Sequence, residues 1–211
     1  EEAENEGEAE PEDAAEHEDE AEHDHGEWNA HVWLDPQLYI RQINNVAEGL
    51  NSFISSSHRI DKSLNPSIQK NADSYIRKIN ELDIQVEELK QKINKQGDQL
   101  KQNNQAVIFH DSFLYLANRV GITVAHAVPL DSDTALNAGE IAEIVNEVKE
   151  GKIKYLFTEE QFSDSIASQI AAETGSSVYI IDSAVTGDGG PDSYLRSMQK
   201  NIDTLGKLAK N

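Results

Sequence analysis

The sequence contains no cysteine, so disulfide bonds and thiolate metal sites are excluded. It also has no apolar run that approaches the length of a signal peptide or a membrane-spanning helix. Because the first residue is Glu1 rather than methionine, we expect a processed or truncated chain. With 211 residues, of which 37% are hydrophobic, the chain can form one domain or two small ones.

Basic residues are scarce as well. The chain has 18 Lys and Arg residues against 39 Asp and Glu residues, and fifteen of these acids lie in residues 1–27, which have no basic residue. This charge argues against a nucleic-acid partner and favours cations. Residues 1–27 lack an apolar face and are predicted to form a disordered acidic loop, either a solvated linker or an accessory metal-binding segment. Its candidate ligands are His17, His23 and His25.

An ordered region begins at Trp28 with a short aromatic segment. The pair Asp35-Pro36 supplies a helix N-cap followed by proline at the first helical position, and apolar residues then recur at steps of three and four. Residues 28–64 are too few to bury this apolar stripe, so we expect the C-terminal remnant of a first α/β lobe. His31 lies just before the helix, where position alone favours a packing role.

Residues 65–101 carry the longest regular pattern in the chain. Asn65-Pro66 is typical of a helix start, and apolar residues follow at alternating steps of four and three. A coiled-coil dimer is one interpretation, but no systematic charge pairs flank the apolar seam. The pattern favours a long linking helix between two lobes.

From residue 102 onward, the sequence alternates between apolar strands and amphipathic helices. Residues 102–211 are therefore predicted to form a second α/β lobe, a four-stranded parallel sheet flanked by helices. Glycines 121, 151 and 175 are expected to end its helices, and His126 is expected to be a core histidine bonded to the backbone. The predicted strands are residues 106–109, 122–128, 153–157 and 178–181.

His110 directly follows the first predicted strand of this lobe. Asp111 and Ser112 come next and offer N-cap chemistry for a helix that ends before Gly121. The carboxyl end of a parallel strand is where open α/β sheets hold their ligands. His110 is thus a candidate functional residue, and a histidine that merely caps the strand is the alternative.

Four stretches of the chain resemble, in order, signature stretches of the zinc and manganese solute-binding proteins of bacterial ABC importers. They are HVWLDP (31–36), FHDSFLYLANRVG (109–121), FTEEQFS (157–163) and YIIDS (179–183). The acidic run ahead of them is similar to the loop of the zinc-uptake members. In that family two α/β lobes are joined by one long helix, and the metal binds between them.

The resemblance implies a function as well as a fold. It implies a non-enzymatic protein that captures Zn²⁺ and delivers it to an ABC transporter permease in the membrane. It also implies an extracytoplasmic location, in the periplasm or lipid-anchored at the outer face of the cytoplasmic membrane. A manganese-binding protein or a metal-dependent adhesin lipoprotein of the same fold is the alternative.

The resemblance also assigns the metal ligands. The family's second and third metal-binding histidines fall on His31 and His110, a carboxylate ligand falls on Asp182, and the first-lobe histidine would lie before Glu1. Manganese members commonly have glutamate where this chain has His110, so Zn²⁺ is expected, with Mn²⁺ as the alternative. Glu159 is expected either to bond a ligating residue or to cap the following helix.

A metal-dependent hydrolase is a further alternative, because it too would need histidines and a carboxylate at strand ends. The sequence contains neither an HExxH nor a GxSxG signature. His110, Asp111 and Ser112 cannot form a catalytic triad among themselves, because neighbouring side chains diverge along the backbone. The sequence favours a binding protein.

Overall fold

The computed structural model describes residues 29–100, 104–128, 136–159 and 165–208. The acidic loop with His17, His23 and His25, and the end of the FTEEQFS stretch, lie outside these residues. The described helices are α1 (Pro36–Ser56), α2 (Asn65–Leu100), α3 (Leu114–Arg119), α4 (Ala138–Gly151), α5 (Ser165–Thr174) and α6 (Ser193–Leu205). The described strands are β1 (Gln105–Ile108), β2 (Thr123–Ala127), β3 (Tyr155–Thr158) and β4 (Ser177–Ile180).

Helix α1 begins as the Asp35-Pro36 pair predicts. The Asp35 side chain accepts a hydrogen bond from the backbone N–H of Gln37 at 2.8 Å, and proline occupies the first turn. The helix buries Ala47 and Ile54, but Val46 and Phe53 on its outer side are each 61% exposed. The apolar stripe is therefore only partly covered within the described residues, and an apolar groove of about 720 Å³ runs between α1 and α2.

Helix α2 has 36 residues, which corresponds to about 54 Å at 1.5 Å per residue. Its C-terminal half contributes Leu82, Val86, Leu89 and Ile93 to the same buried cluster as Ala106 and Ile108 of β1. The helix therefore forms part of the core of the α/β lobe and also extends beyond it to contact α1. Within the described residues, no helix has both the length and the hydrophobicity required to cross a membrane.

The sheet has the strand order β2-β1-β3-β4, and all neighbouring strands are parallel. Alternate residues of β1 face opposite layers, because side chains alternate along a strand. Ala106 and Ile108 pack in the cluster that includes α2, α3 and α6, whereas Val107 packs with residues of α4 and α5. The predicted four-stranded parallel sheet flanked by helices is confirmed.

Three local predictions differ from the structure in whole or in detail. His126 is not a core residue: its side chain is 37% exposed on edge strand β2, where Nδ1 lies 2.7 Å from Oε2 of Glu147. Gly151 does end α4, but as its last helical residue, and the left-handed residue that follows the helix is Lys152, with φ of 52°. The helix expected after His110 opens with a 3-10 turn, Asp111–Phe113, before α3 begins.

The strand order places a crevice between β1 and β3. The chain passes from β1 to β2 on one side and later returns to β3 on the other side of β1. Ligands bind in α/β sheets at the carboxyl ends of strands where the order reverses in this way. His110 and Glu159 follow these two adjacent strands, and Asp182 follows β4 beside them.

Candidate metal centre

The side chains of His110 and Glu159 meet at the β1 and β3 ends. His110 Nδ1 is hydrogen-bonded to Glu159 Oε1, which also accepts a bond from Ser112 Oγ at 3.2 Å. Glu159 is only 3% exposed, so this carboxylate is buried beneath the imidazole. A carboxylate can only accept, so Nδ1 carries a proton in this contact, and in the neutral imidazole Nε2 is the unprotonated nitrogen. Glu159 is thus in hydrogen-bonding contact with His110, and its role as a partner of a metal ligand stays a prediction.

His31 is oriented by Asn29 in a comparable way. Asn29 Oδ1 accepts the backbone N–H of His31 at 2.9 Å and lies 2.9 Å from His31 Nδ1. The Asn29 Nδ2 group donates to the backbone carbonyl of Asp111 at 2.8 Å, which fixes the orientation of the amide. His31 Nδ1 is therefore the donor to Asn29, and Nε2 again carries the lone pair.

The segment that carries His31 is anchored to the α/β lobe. Leu34 is fully buried, and Trp33 Nε1 donates to the carbonyl of Ser183 at 2.8 Å. The Tyr115 hydroxyl donates to the Asn29 carbonyl at 3.0 Å, and the Tyr194 hydroxyl donates to the Trp33 carbonyl at 2.8 Å. These contacts bring His31 to the carboxyl edge of the sheet.

The structure brings His31 and His110 together with Asp111. One potential ligand atom from each of the three lies within 4.8 Å of the others, and the two imidazole rings have centroids 5.0 Å apart. Asp111 Oδ1 is 3.5 Å from His110 Nε2 and 3.7 Å from His31 Nδ1. Two imidazoles and a carboxylate form a donor set suited to a divalent transition metal such as zinc.

Asp111 was missed as a candidate ligand by the sequence analysis. Its position before a helix predicted an N-cap role, whereas in the structure it starts the 3-10 turn and its side chain lies beside both imidazoles. The sequence feature that could have identified Asp111 is a carboxylate directly after a candidate ligand at the end of a strand. Capping chemistry and metal ligation use the same residue type, so the sequence alone does not separate them.

Asp182 lies at the neighbouring strand end but outside this group of three side chains. Its Oδ1 accepts the backbone N–H of Ala184 at 2.8 Å. Its own backbone N–H and carbonyl are both bonded to the side chain of Asn201. Among the described residues, the cluster of ligand atoms within 4.8 Å contains His31, His110 and Asp111.

The acidic neighbours also change the proton affinity of His110. Burial alone lowers the pKa of this imidazole, but the hydrogen bond and charge of Glu159, with the charge of Asp111, raise the pKa overall above 6.5. A metal that binds His110 must therefore displace a proton over part of the near-neutral pH range.

The sequence matches a known protein family over nearly its whole length. The family model for the zinc-uptake complex component A, periplasmic, matches residues 2–208. The chain is 28% identical over 185 residues to the zinc-binding lipoprotein AdcA of Streptococcus pneumoniae, covering 86% of this chain and 34% of that protein. It is 26% identical over 182 residues to the high-affinity zinc uptake system protein ZnuA of Bacillus subtilis, covering 84% and 52%.

Solved structures show the same fold. The solute-binding protein FpvC of Pseudomonas aeruginosa, in complex with Ni²⁺, matches with a TM-score of 0.70 at 19% identity, over 86% of this chain and 63% of that one. A mutant of the laminin-binding adhesin Lmb of Streptococcus agalactiae matches with a TM-score of 0.65 at 25% identity, over 85% and 62%. The chain spans about a third of AdcA and about half of the ZnuA protein. Because the family model matches residues 2–208, the chain belongs to the family of the zinc-uptake complex component A, periplasmic.

Proposed function

We propose that this chain is the metal-binding part of an extracytoplasmic solute-binding protein that captures Zn²⁺ and delivers it to an ABC importer. The observation that carries the proposal is the meeting of two imidazoles at the sheet edge. His31 and His110 each have Nδ1 hydrogen-bonded to an oxygen acceptor, and we assign Nε2 of each neutral ring as the proposed metal donor. The Zn²⁺ ion is the cargo, held for transfer.

The donors proposed for the ion are the Nε2 atoms of His31 and His110 together with a carboxylate oxygen. Asp182 supplies that oxygen directly or through water, as the resemblance implies, and Asp111 lies close enough to contribute as well. Zn²⁺ accepts imidazole nitrogen and carboxylate oxygen in tetrahedral sites, whereas Mn²⁺ favours more oxygen donors. Glu159 holds the His110 ring in the required tautomer.

The relatives support the proposed location and partner. AdcA is named a zinc-binding lipoprotein, and the matching family model is named for a periplasmic component of zinc uptake. We propose that such a protein meets an ABC permease at the outer face of the membrane. We extend the lipid-anchored or periplasmic location and the ABC permease partner to this chain on that basis. A histidine from a preceding lobe would complete the shell in the whole protein.

A metal-dependent adhesin is the second candidate. The Lmb protein of Streptococcus agalactiae, 25% identical to this chain, is described as bifunctional, with adhesin and metal-transporting activity. Both candidates use the same metal site. They differ in whether the chain also binds a host matrix protein, for which immobilised laminin is the direct probe.

Metal preference tests the proposed function. In chelator-competition titrations of the 211-residue chain, Zn²⁺ is expected to bind roughly 10-fold or more tightly than Mn²⁺, because nitrogen donors favour metals late in the divalent series. The control is the double variant His31→Ala/His110→Ala, which is expected to lose this preference. Equal or tighter Mn²⁺ binding by the parent chain would contradict the zinc assignment.

The acidic loop is proposed to assist capture without forming the principal site. Deleting residues 1–27 is expected to remove weak additional zinc equivalents and to change the affinity of the tightest site by less than about two-fold, because scattered imidazoles and carboxylates hold cations loosely. Isothermal titration of the truncated chain checks this. A chain with His17, His23 and His25 all replaced by alanine separates loss of imidazole from loss of charge. Disappearance of the tight site on deletion would refute this role.

A further inference from the structure

The side chain of Asn201 bonds both backbone polar groups of Asp182. Asn201 lies on α6 and is fully buried. Its Oδ1 accepts the Asp182 N–H at 2.8 Å, and its Nδ2 donates to the Asp182 carbonyl at 2.7 Å. Two hydrogen bonds from one planar amide fix both the position and the orientation of the backbone at residue 182.

A second contact links the same segment to His31. Trp33 Nε1 donates to the carbonyl of Ser183 at 2.8 Å, and the Trp33 ring lies edge-on to the His31 ring at a centroid distance of 5.2 Å. The end of β4 is thus held by α6 on one side and by the His31 segment on the other. A shift of residues 182–184 would therefore displace Trp33 and, through the contact between the two rings, His31.

The backbone of this segment adopts a conformation that requires such support. Ala184 has φ of 58°, in the left-handed region that residues with a side chain rarely occupy. Its N–H donates to Asp182 Oδ1 at 2.8 Å. Strained backbone of this kind persists where surrounding contacts over-determine it, and it concentrates at ligand sites. The left-handed conformation of Ala184 and the two hydrogen bonds from the Asn201 side chain together restrict where the Asp182 carboxylate can lie.

We propose that Asn201 is a positioning residue for metal binding. It holds residues 182–184 so that the Asp182 carboxylate is presented to the metal, and Trp33 keeps this segment in register with His31. The proposal rests on the proposed function, in which Asp182 supplies an oxygen to Zn²⁺. Asn201 itself does not contact the metal and acts through Asp182.

The main test is Asn201→Ala in the 211-residue chain. Zinc affinity, measured by chelator competition, is expected to fall by about 10-fold, the lower end of the loss typical for partners of ligating residues. The visible absorption spectrum of the Co²⁺-loaded variant is expected to change in the same direction as that of Asp182→Asn, because both alter the oxygen donor. The matched control is Leu205→Ala, a buried change on the same helix. It is expected to lower Tm and to leave the zinc affinity and the Co²⁺ spectrum unchanged.

A double-variant cycle separates positioning from general destabilisation. If Asn201 acts through Asp182, the combined Asn201→Ala/Asp182→Asn variant binds zinc no more weakly than Asp182→Asn alone. Independent, multiplicative losses would overturn the proposal, as would a folded Asn201→Ala variant with parental affinity and spectrum. Should Asn201→Ala not fold, Asn201→Leu keeps the buried volume of the side chain and removes both hydrogen bonds to Asp182. The same non-additivity with Asp182→Asn is then expected, and its absence overturns the proposal.

The two proposals fail in different ways. Parental zinc affinity in both His31→Ala and His110→Ala would overturn the proposed function and this inference with it. Weakened binding in those variants, together with parental binding in a folded Asn201→Ala variant, would overturn the positioning role and leave the proposed function standing.

Discussion

Replacing His110 with alanine is expected to weaken zinc binding by more than about 100-fold, beyond the usual cost of losing an outer partner of a ligand. The imidazole is a proposed direct donor, and its loss leaves an open position in a site that favours nitrogen. It also leaves the buried carboxylate of Glu159 without its hydrogen-bond partner on the imidazole. Asp182→Ala is expected to cost less, because water can replace a carboxylate oxygen.

Titration calorimetry with a competing chelator measures both losses. His126→Ala is the matched control: His126 is also a histidine paired with a carboxylate, but it lies on edge strand β2 and is outside the proposed donor set. It is expected to bind zinc as the parent does. Parental zinc affinity in the His110 variant would refute the site and remove most of the case for zinc over manganese.

The fold was accessible from the sequence because buried parallel strands are short, continuous apolar runs that are distinguishable from amphipathic helices. The pairing partner of each strand was not accessible in this way. His126 was misplaced because β2 is an edge strand on which no residue is fully buried, so even its less exposed face, which carries His126, is only partly covered. The apolar stripe of α2 was visible, but periodicity does not reveal that its C-terminal half packs on β1.

The candidate site was only partly accessible from the sequence. Strand-end position singled out His110 by chemistry, but only the resemblance brought His31 into the same site. Their closeness depends on contacts between segments far apart in sequence, such as the bond from Trp33 to Ser183. The sequence does not predict the two hydrogen bonds from Asn201 to the Asp182 backbone, because a buried amide in the middle of a helix has no distinctive local pattern. Long-range hydrogen bonds of this kind become visible only in the folded chain.

The pH dependence of zinc binding follows from the raised pKa of His110. Glu159 and Asp111 overcome the effect of burial and raise this pKa above 6.5. Below its pKa the imidazole holds a proton that zinc must displace, so His110 alone lowers the apparent affinity by about 10-fold per pH unit of acidification. Above the pKa its contribution is constant. The bend in the affinity profile that His110 produces is therefore expected above pH 6.5.

The variant Glu159→Gln tests whether Glu159 raises the pKa of His110. The change removes the charge and the charged acceptor that raise the His110 pKa, so burial dominates and the bend is expected at lower pH. At pH 8, zinc affinity is expected to fall by about 10- to 100-fold, because the amide orients and polarises the imidazole less well than the carboxylate. Because the parent begins to lose affinity at a higher pH than the variant does, the zinc affinities of the two should converge as pH falls. Chelator competition between pH 5.5 and about pH 8 measures the position of the bend and the loss of affinity at high pH. This range spans the reference pKa of histidine.

The matched control for this test is Glu147→Gln, which removes the carboxylate beside His126 on the outer strand. Its zinc profile is expected to coincide with that of the parent at every pH. A Glu159→Gln profile whose bend stays in place would mean that Glu159 does not set the proton affinity of His110. A uniform loss of affinity at all pH values would leave Glu159 only the task of orienting the ring.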